Sequence, residues 1–406
     1  MGKETIAIIG RGIVGLTTGY RLLEKGYNVI FIDDSPYQSA ASWNNAGLIS
    51  PTYSALSPSI GTIKDISKWM FSKNSGIRIS TSSFFKNLNW IWSYVRKSSL
   101  AMREEIMKLV YDMIKEAVEW YDMLSKKINF DFKKDGLIEV YLAKENFDKR
   151  VARLENYPKL GSFEIMDAKS VLELEPNLNK EIVGGIFYPE EASLDPRKLM
   201  LKLISYMRDS GVNFFEERAL RFKLQGSRVS SLSTNKSEVK ADFFVIATGA
   251  HKEIYKSLNL RVPVIAGRGY AVITDAKVEL EHHISAGDYR ISIAQLEEGN
   301  LKATGFLEFA GVRDEPRKEC FDFLHEKLIQ YIPNAKNCKV IETWLGSRPC
   351  TPDLMPIIDR IKDNLFINVG HCRVGVCLAP FSSRLLVELL EKGRHDYDLF
   401  SMRRFA

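Results

Sequence analysis

Short unbroken apolar runs, Ile6 to Ile9 and Val29 to Ile32, end at Gly10 and Asp33 and flank a helical stretch. Such runs read as buried strands of a parallel sheet, and their order reads as a βαβ unit. A helical region from Ile60 to about Lys127 follows, with Met102 to Leu124 strongly amphipathic, and it interrupts the continuation of that unit. A second domain is therefore inserted. Gly136 to Ala143 alternates as a strand, and SLDPRKLMLKLISYMRDSG reads as a helix opened near Asp195 and Pro196 and stopped at Gly211. ADFFVIATGAH is a buried strand ending in Thr248, Gly249 and Ala250, residues 263–339 are rich in strand signals, and a long helix starts near Gly375. The pattern predicts an α/β protein with a discontinuous Rossmann-like nucleotide domain (1–59, 193–262 and 340–406). A sheet-rich substrate domain (60–192 and 263–339) begins with the helical excursion.

The turn after the first run carries Gly10, Gly12 and Gly15 as G-x-G-x-x-G. Glycine there permits the tight turn, the approach of a pyrophosphate to the backbone and close helix–strand packing. Ile13 and Val14 open a helix whose N-terminal amides and positive dipole end face the phosphates. Asp33, 23 positions after Gly10, stands where an acid accepts a ribose hydroxyl, with Asp34 beside it.

Composition changes this picture little. The 406 residues, 45% hydrophobic and 27% charged, are those of an ordinary soluble protein long enough for two domains. No run of eighteen apolar residues appears, and a first strand by Ile6 leaves no room for a signal peptide, so the expected location is the cytoplasm. Five scattered cysteines without a C-x-x-C pair point to reduced thiols, with neither a zinc site nor a disulfide framework. Charge adds one feature. Residues 61–97 hold seven basic side chains against Asp65, interleaved with Trp69, Phe71, Phe84, Phe85, Trp90, Trp92 and Tyr94. A packed helical excursion with a basic solvated face is the preferred reading, and contact with an anionic membrane surface at the inner face is the alternative. Nothing resembles a nucleic-acid recognition motif, and self-association stays open.

Several stretches together resemble the FAD-dependent D-amino-acid oxidase superfamily. SWNNAGLISPTYSA is similar to the signature of its D-amino-acid dehydrogenase branch, and DPRKL, VIATGAH, GRGYAVIT and WLGSRPCTPDLMPIID are similar to its later motifs. NLFINVGHCRVGVCLAP is closer to glycine oxidases. The resemblance implies that the dinucleotide is FAD rather than NAD. It places Ser42, Asn45, Ala46, Gly47 and Leu48, and also Gly370, His371, Cys372, Arg373, Val374 and Gly375, at the flavin, the latter turn lying against its ring. A helix N-terminus and Arg373 would stabilise the reduced flavin's negative charge. Some relatives tether flavin through a cysteine just before T-P-D. The matched position here is Gly346, with Cys350 four residues away, which implies non-covalent FAD.

The resemblance also places Arg348, in GSRP, where related enzymes grip the substrate carboxylate, a task suited to a bidentate guanidinium. Tyr53 matches a tyrosine near the substrate pocket. Tyr289 and Tyr270 are weaker candidates for a second phenol, and Arg268 and Arg290 could assist Arg348, although a solvated role is preferred for each. His371 is assigned to packing or hydrogen bonding at the cofactor before acid–base work. The implied reaction is oxidation of a D-amino acid, or of a small secondary amine acid such as glycine, sarcosine or proline, by hydride transfer from Cα to flavin N5. Electrons would pass to a quinone or another carrier. A nicotinamide dehydrogenase and a non-catalytic FAD-holding subunit are the rival readings.

Overall fold

The structure, a computed structural model, describes residues 3–55, 77–79, 81–97, 104–309, 315–393 and 397–405. Two sheets dominate it. The first runs, in spatial order, Asn213–Phe215, Asn28–Ile32, Thr5–Ile9, Phe243–Ile246, Leu365–Val369 and Ile357–Lys362. Neighbours are parallel except for the last, antiparallel pair. Thr5–Ile9 is central because it is apolar on both faces. Ile6 and Ile8 enter one cluster, Ala7 and Ile9 the cluster on the opposite face, and all four are buried. That is the fate of an unbroken run in a sheet covered on both sides.

The first cluster is roofed by the helices Ile13–Glu24, Pro196–Asp209 and Gly375–Lys392. Asp195 caps the second of these by accepting from Arg197 N at 2.8 Å, as its sequence position implies. Leu199, Leu203, Leu385 and Leu386 are fully buried there, each contributing about 2 kcal/mol of transfer free energy. The amphipathic helix Glu104–Ile128 joins this same roof through Met113, Ile114, Ala117 and Leu124, and Tyr121 donates to Val376 O at 2.8 Å. It therefore covers the nucleotide sheet, although it falls in the stretch assigned to the substrate domain. Its apolar stripe fits the Gly375–Lys392 helix, a partner remote in sequence.

The second sheet has nine strands among the described residues, in the order Val340–Cys350, Ile265–Thr274, Leu301–Phe309, Ile291–Gln295, His283–Ala286, Leu137–Tyr141, Gly184–Tyr188 and Glu164–Asp167. Ile77–Ile79 pairs with Leu301–Phe309. Val340–Cys350 pairs with Ile265–Thr274 along its whole length. The return to the nucleotide domain thus lies beyond Cys350, not at 340. Cross-strand pairing, which the sequence alone does not display, holds this strand in the large sheet.

Two further expectations meet the structure here. Cys350 and Cys372 are joined in a disulfide, so the expectation of five reduced thiols fails for these two, while Cys320, Cys338 and Cys377 are free. Sequence spacing hid the pair because an antiparallel bridge between Cys350 and His371 brings the two segments together only in the fold. Within the basic aromatic segment, residues 61–76 lie outside the described residues. Trp90 and Tyr94 are buried and stacked, and Trp90 Nε1 donates to Pro263 O and Cys350 O, each at 3.2 Å. Phe85 and Trp92 instead stand 66% and 60% exposed, so the excursion is packed on one face and apolar on another.

Candidate active site

A cleft of about 310 Å³ opens where the first sheet's strands end. Its walls include Gly10, Gly12, Ile13, Val14, Asp33, Ser42, Asn45, Thr248, Gly249, Ala250, His371, Cys372 and Gly375, from all three nucleotide segments. The glycines divide their work. A side chain on Gly10 or Gly15 would collide with Ala247 or Gly10 backbone, so these two serve the packing of strand on helix, and Gly10 has φ +106°. A Cβ on Gly12 meets nothing nearer than Ser42 Oγ at 3.8 Å, and one on Gly249 meets nothing within 4 Å. Open space beside these two is the cradle a dinucleotide needs.

Asp33 accepts from Arg11 N at 2.9 Å and Ser35 N at 2.8 Å, and Ser42 Oγ accepts from Ile13 N at 3.2 Å. His371 Nδ1 and Asn368 Oδ1 are buried at the cleft with no hydrogen-bond partner among the described residues. Buried polar atoms are rarely left so. These atoms, with the open glycine edge, fit a large ligand rich in donors and acceptors.

Other residues assigned to the cofactor stand just outside the cleft. Ala46, Leu48, Arg373 and Val374 line an adjoining cavity. Gly47, at φ +82°, packs on Leu194 O, and Gly370, at φ +89°, packs on Thr351. Asp34 lies 3.9 Å from Arg218.

The adjoining cavity, about 520 Å³, shares Asn45 and Arg348 with the cleft, so Arg348 stands at their junction. Arg348 Nη1 donates to Phe306 O at 2.6 Å, and the guanidinium lies over Gly269, where a Cβ would collide with it. Burial and the neighbouring Arg373 push it down to about 10, which leaves it charged at neutral pH. Tyr53 faces the same cavity with its hydroxyl 3.1 Å from Ser285 Oγ, and burial pushes that phenol above its usual range. Tyr289 does not join them. It packs edge-on against Phe323 and Tyr331, half-buried against the core of the large sheet, and does not line the cavity. Tyr270 likewise donates to Glu308 at 2.6 Å within the sheet, and Arg268, 1% exposed, lies 3.8 Å from the same carboxylate rather than in solvent.

His371 accepts from or donates to Ser382 Oγ at 3.0 Å, and burial alone pushes it down to about 3. It is a neutral hydrogen-bonding group across the physiological range. Three features were not singled out as site residues from the sequence. Gly269 gives Arg348 room, and its only signal was the GRGY sequence. Buried Glu191 accepts from Tyr53 N at 2.8 Å and is pushed well above the carboxylate range by burial, thereby holding the turn that presents Tyr53. Glu139 accepts from Arg150, Tyr141 and Tyr188 beneath the cavity floor. The Tyr53 partner of Glu191 is 138 residues away in sequence and the Tyr188 partner of Glu139 is 49 away, so no local pattern announces these contacts.

A nucleotide cleft at a sheet's strand ends, opening onto a cavity with a buried guanidinium at the junction, defines a dinucleotide-dependent oxidoreductase. The family follows directly: the model for the FAD dependent oxidoreductases of the DAO type matches residues 5–389, and the chain belongs to that family, with FAD as its cofactor. The chain is 26% identical over 400 residues to the D-amino acid dehydrogenase of Helicobacter pylori, covering 97% of this chain and 96% of that protein. Glycine oxidase from Geobacillus kaustophilus superposes with a TM-score of 0.75 at 18% identity, covering 98% of this chain and 99% of that one. L-Proline dehydrogenase from P. horikoshii superposes with a TM-score of 0.72 at 20% identity, covering 99% and 98%. The resemblance and the flavin stated from sequence are borne out. No helix among the described residues is long and apolar enough to cross a membrane.

Proposed function

We propose that this protein oxidises the carbon–nitrogen bond of a D-amino acid or a small secondary amine acid, releasing the imine to hydrolysis. Arg348 carries the reading: it is a charged guanidinium at the junction of cofactor cleft and substrate-sized cavity. Its planar fork fixes a carboxylate in two hydrogen bonds and so orients the adjoining Cα–H. FAD, when bound, supplies the acceptor for the hydride. Tyr53 and Ser285 present hydroxyls to the substrate, and neutral His371 offers a hydrogen bond at the cofactor without acting as a strong base. The full-length match to D-amino acid dehydrogenases supports the substrate class.

FAD is held without a covalent bond. Gly346 stands at the tether position, and Cys372, the cysteine lining the cleft among the described residues, is already bonded to Cys350. A quinone or similar carrier takes the electrons, a reading supported by the exposed Phe85, Leu88 and Trp92 near basic Lys86, Arg96 and Lys97, which suit a protein working at the inner membrane surface. Arg348→Ala should weaken amino-acid binding by about 3 kcal/mol or more while FAD content stays at one per chain. Unchanged substrate affinity in that variant would remove the anchor and the proposal with it.

A further inference from the structure

The cavity beyond Arg348 is more cationic than one carboxylate requires. Six basic side chains line it, against the carboxylates of Glu139 and Asp288. Those two acids are already engaged: Glu139 by Arg150, Tyr141 and Tyr188, and Asp288 by Leu142 N at 2.8 Å, Asn146 at 2.7 Å and Tyr331. Arg373 and Arg290 have neither a hydrogen bond nor an ion pair among the described residues. Both open onto the cavity, and Arg373 feels Arg290 as a repelling neighbour. Both guanidiniums are exposed to the solvent-filled cavity, so each is free to meet an anion that enters it.

Position separates Arg373 from the nucleotide cleft. His371 and Cys372 line the cleft, whereas the next residue turns its side chain into the outer cavity, beside Tyr53, Tyr94 and Cys377. Arg348 lies between cleft and cavity, so a ligand whose first carboxylate it holds extends toward Arg373. The volume of about 520 Å³ leaves room for a second charged arm.

We propose that the substrate is an amino dicarboxylate, its α-carboxylate held by Arg348 and its second carboxylate received by Arg373 with Arg290 alongside. This rests on the amino-acid reading above. The second carboxylate can belong to the side chain, as in D-aspartate or D-glutamate, or to a substituent on nitrogen, as in iminodiacetate.

The test is equilibrium titration of the FAD-loaded protein with redox-inert succinate and glutarate against acetate, propionate and butyrate, followed by calorimetry. Dicarboxylates should bind at least tenfold more tightly. In Arg373→Gln that preference should fall roughly tenfold, to near parity, with monocarboxylate binding nearly unchanged and FAD retained, and Arg373→Lys should keep part of it. Anaerobic addition of D-glutamate, D-aspartate and iminodiacetate then assigns the arm by which of them bleaches the flavin. Equal binding of both classes, or equal loss of both in Arg373→Gln, overturns the inference while leaving the amino-acid reading standing. Absence of any carboxylate binding overturns both.

Discussion

His371 and His283 are both enclosed away from carboxylates, and burial holds each down to about 3, assisted at His283 by the positive charge of Lys302. Their unfolded value is 6.5. Below that value the unfolded chain binds protons that the folded chain refuses, so stability is complete above about pH 6.5 and is lost as pH falls toward 3. Each histidine contributes a slope of about 1.4 kcal/mol per pH unit across that window. Urea unfolding at pH 7, 5.5 and 4.5 should show this acid loss, and His283→Gln and His371→Gln should each flatten it. An unchanged slope in both variants would mean that the two rings are hydrated. At this scale motifs pointed to Arg348 and Tyr53, which line the cavity, whereas Tyr289 and Arg268 lie elsewhere in the large sheet. Whether a tyrosine in a strand-rich region faces a cavity or a core depends on cross-strand register, which a single chain does not display.

The glycine-rich turn shows the element scale, because its glycines differ in what they leave room for. Gly15 abuts Gly10 backbone, so Gly15→Ala should prise the Ile13–Glu24 helix from the sheet and lower the melting temperature of the apoprotein. Gly12 borders open space in the cleft, so Gly12→Ala should leave the apoprotein's melting temperature within about 2 °C while reducing FAD per chain several-fold. Equal effects of the two variants on the apoprotein would contradict this division. The βαβ unit, the Asp195-capped helix and the Gly375–Lys392 helix were all legible, since each rests on a local rule of periodicity, capping or glycine chemistry. Glu104–Ile128 was legible as a helix but not as part of the nucleotide domain, because its stripe says that it packs, not upon what. Val340–Cys350 likewise reveals its sheet only by pairing.

For the molecule as a whole, the Cys350–Cys372 disulfide ties the end of the large sheet to the turn that carries His371 and Arg373, across 22 residues of chain. Closing a loop of that length stabilises the fold by about 3 kcal/mol. Thiol titration of the denatured, unreduced protein should therefore count three reactive cysteines, and five after reduction; five before reduction would show the pair to be open. The architecture, two sheets sharing a cleft and a cavity at their meeting, was readable in outline from where strand-rich and helical stretches alternate. The convergence of Arg348, Arg373 and Arg290 on one cavity was not, since it joins segments of two domains. The central claim, that an amino acid anchored at that junction delivers its electrons to FAD, is tested most directly by spectroscopy without oxygen. The purified yellow protein, mixed anaerobically with D- and L-amino acids, glycine, sarcosine and proline, should lose its flavin absorbance with at least one of them; a spectrum that none of them changes would contradict the account.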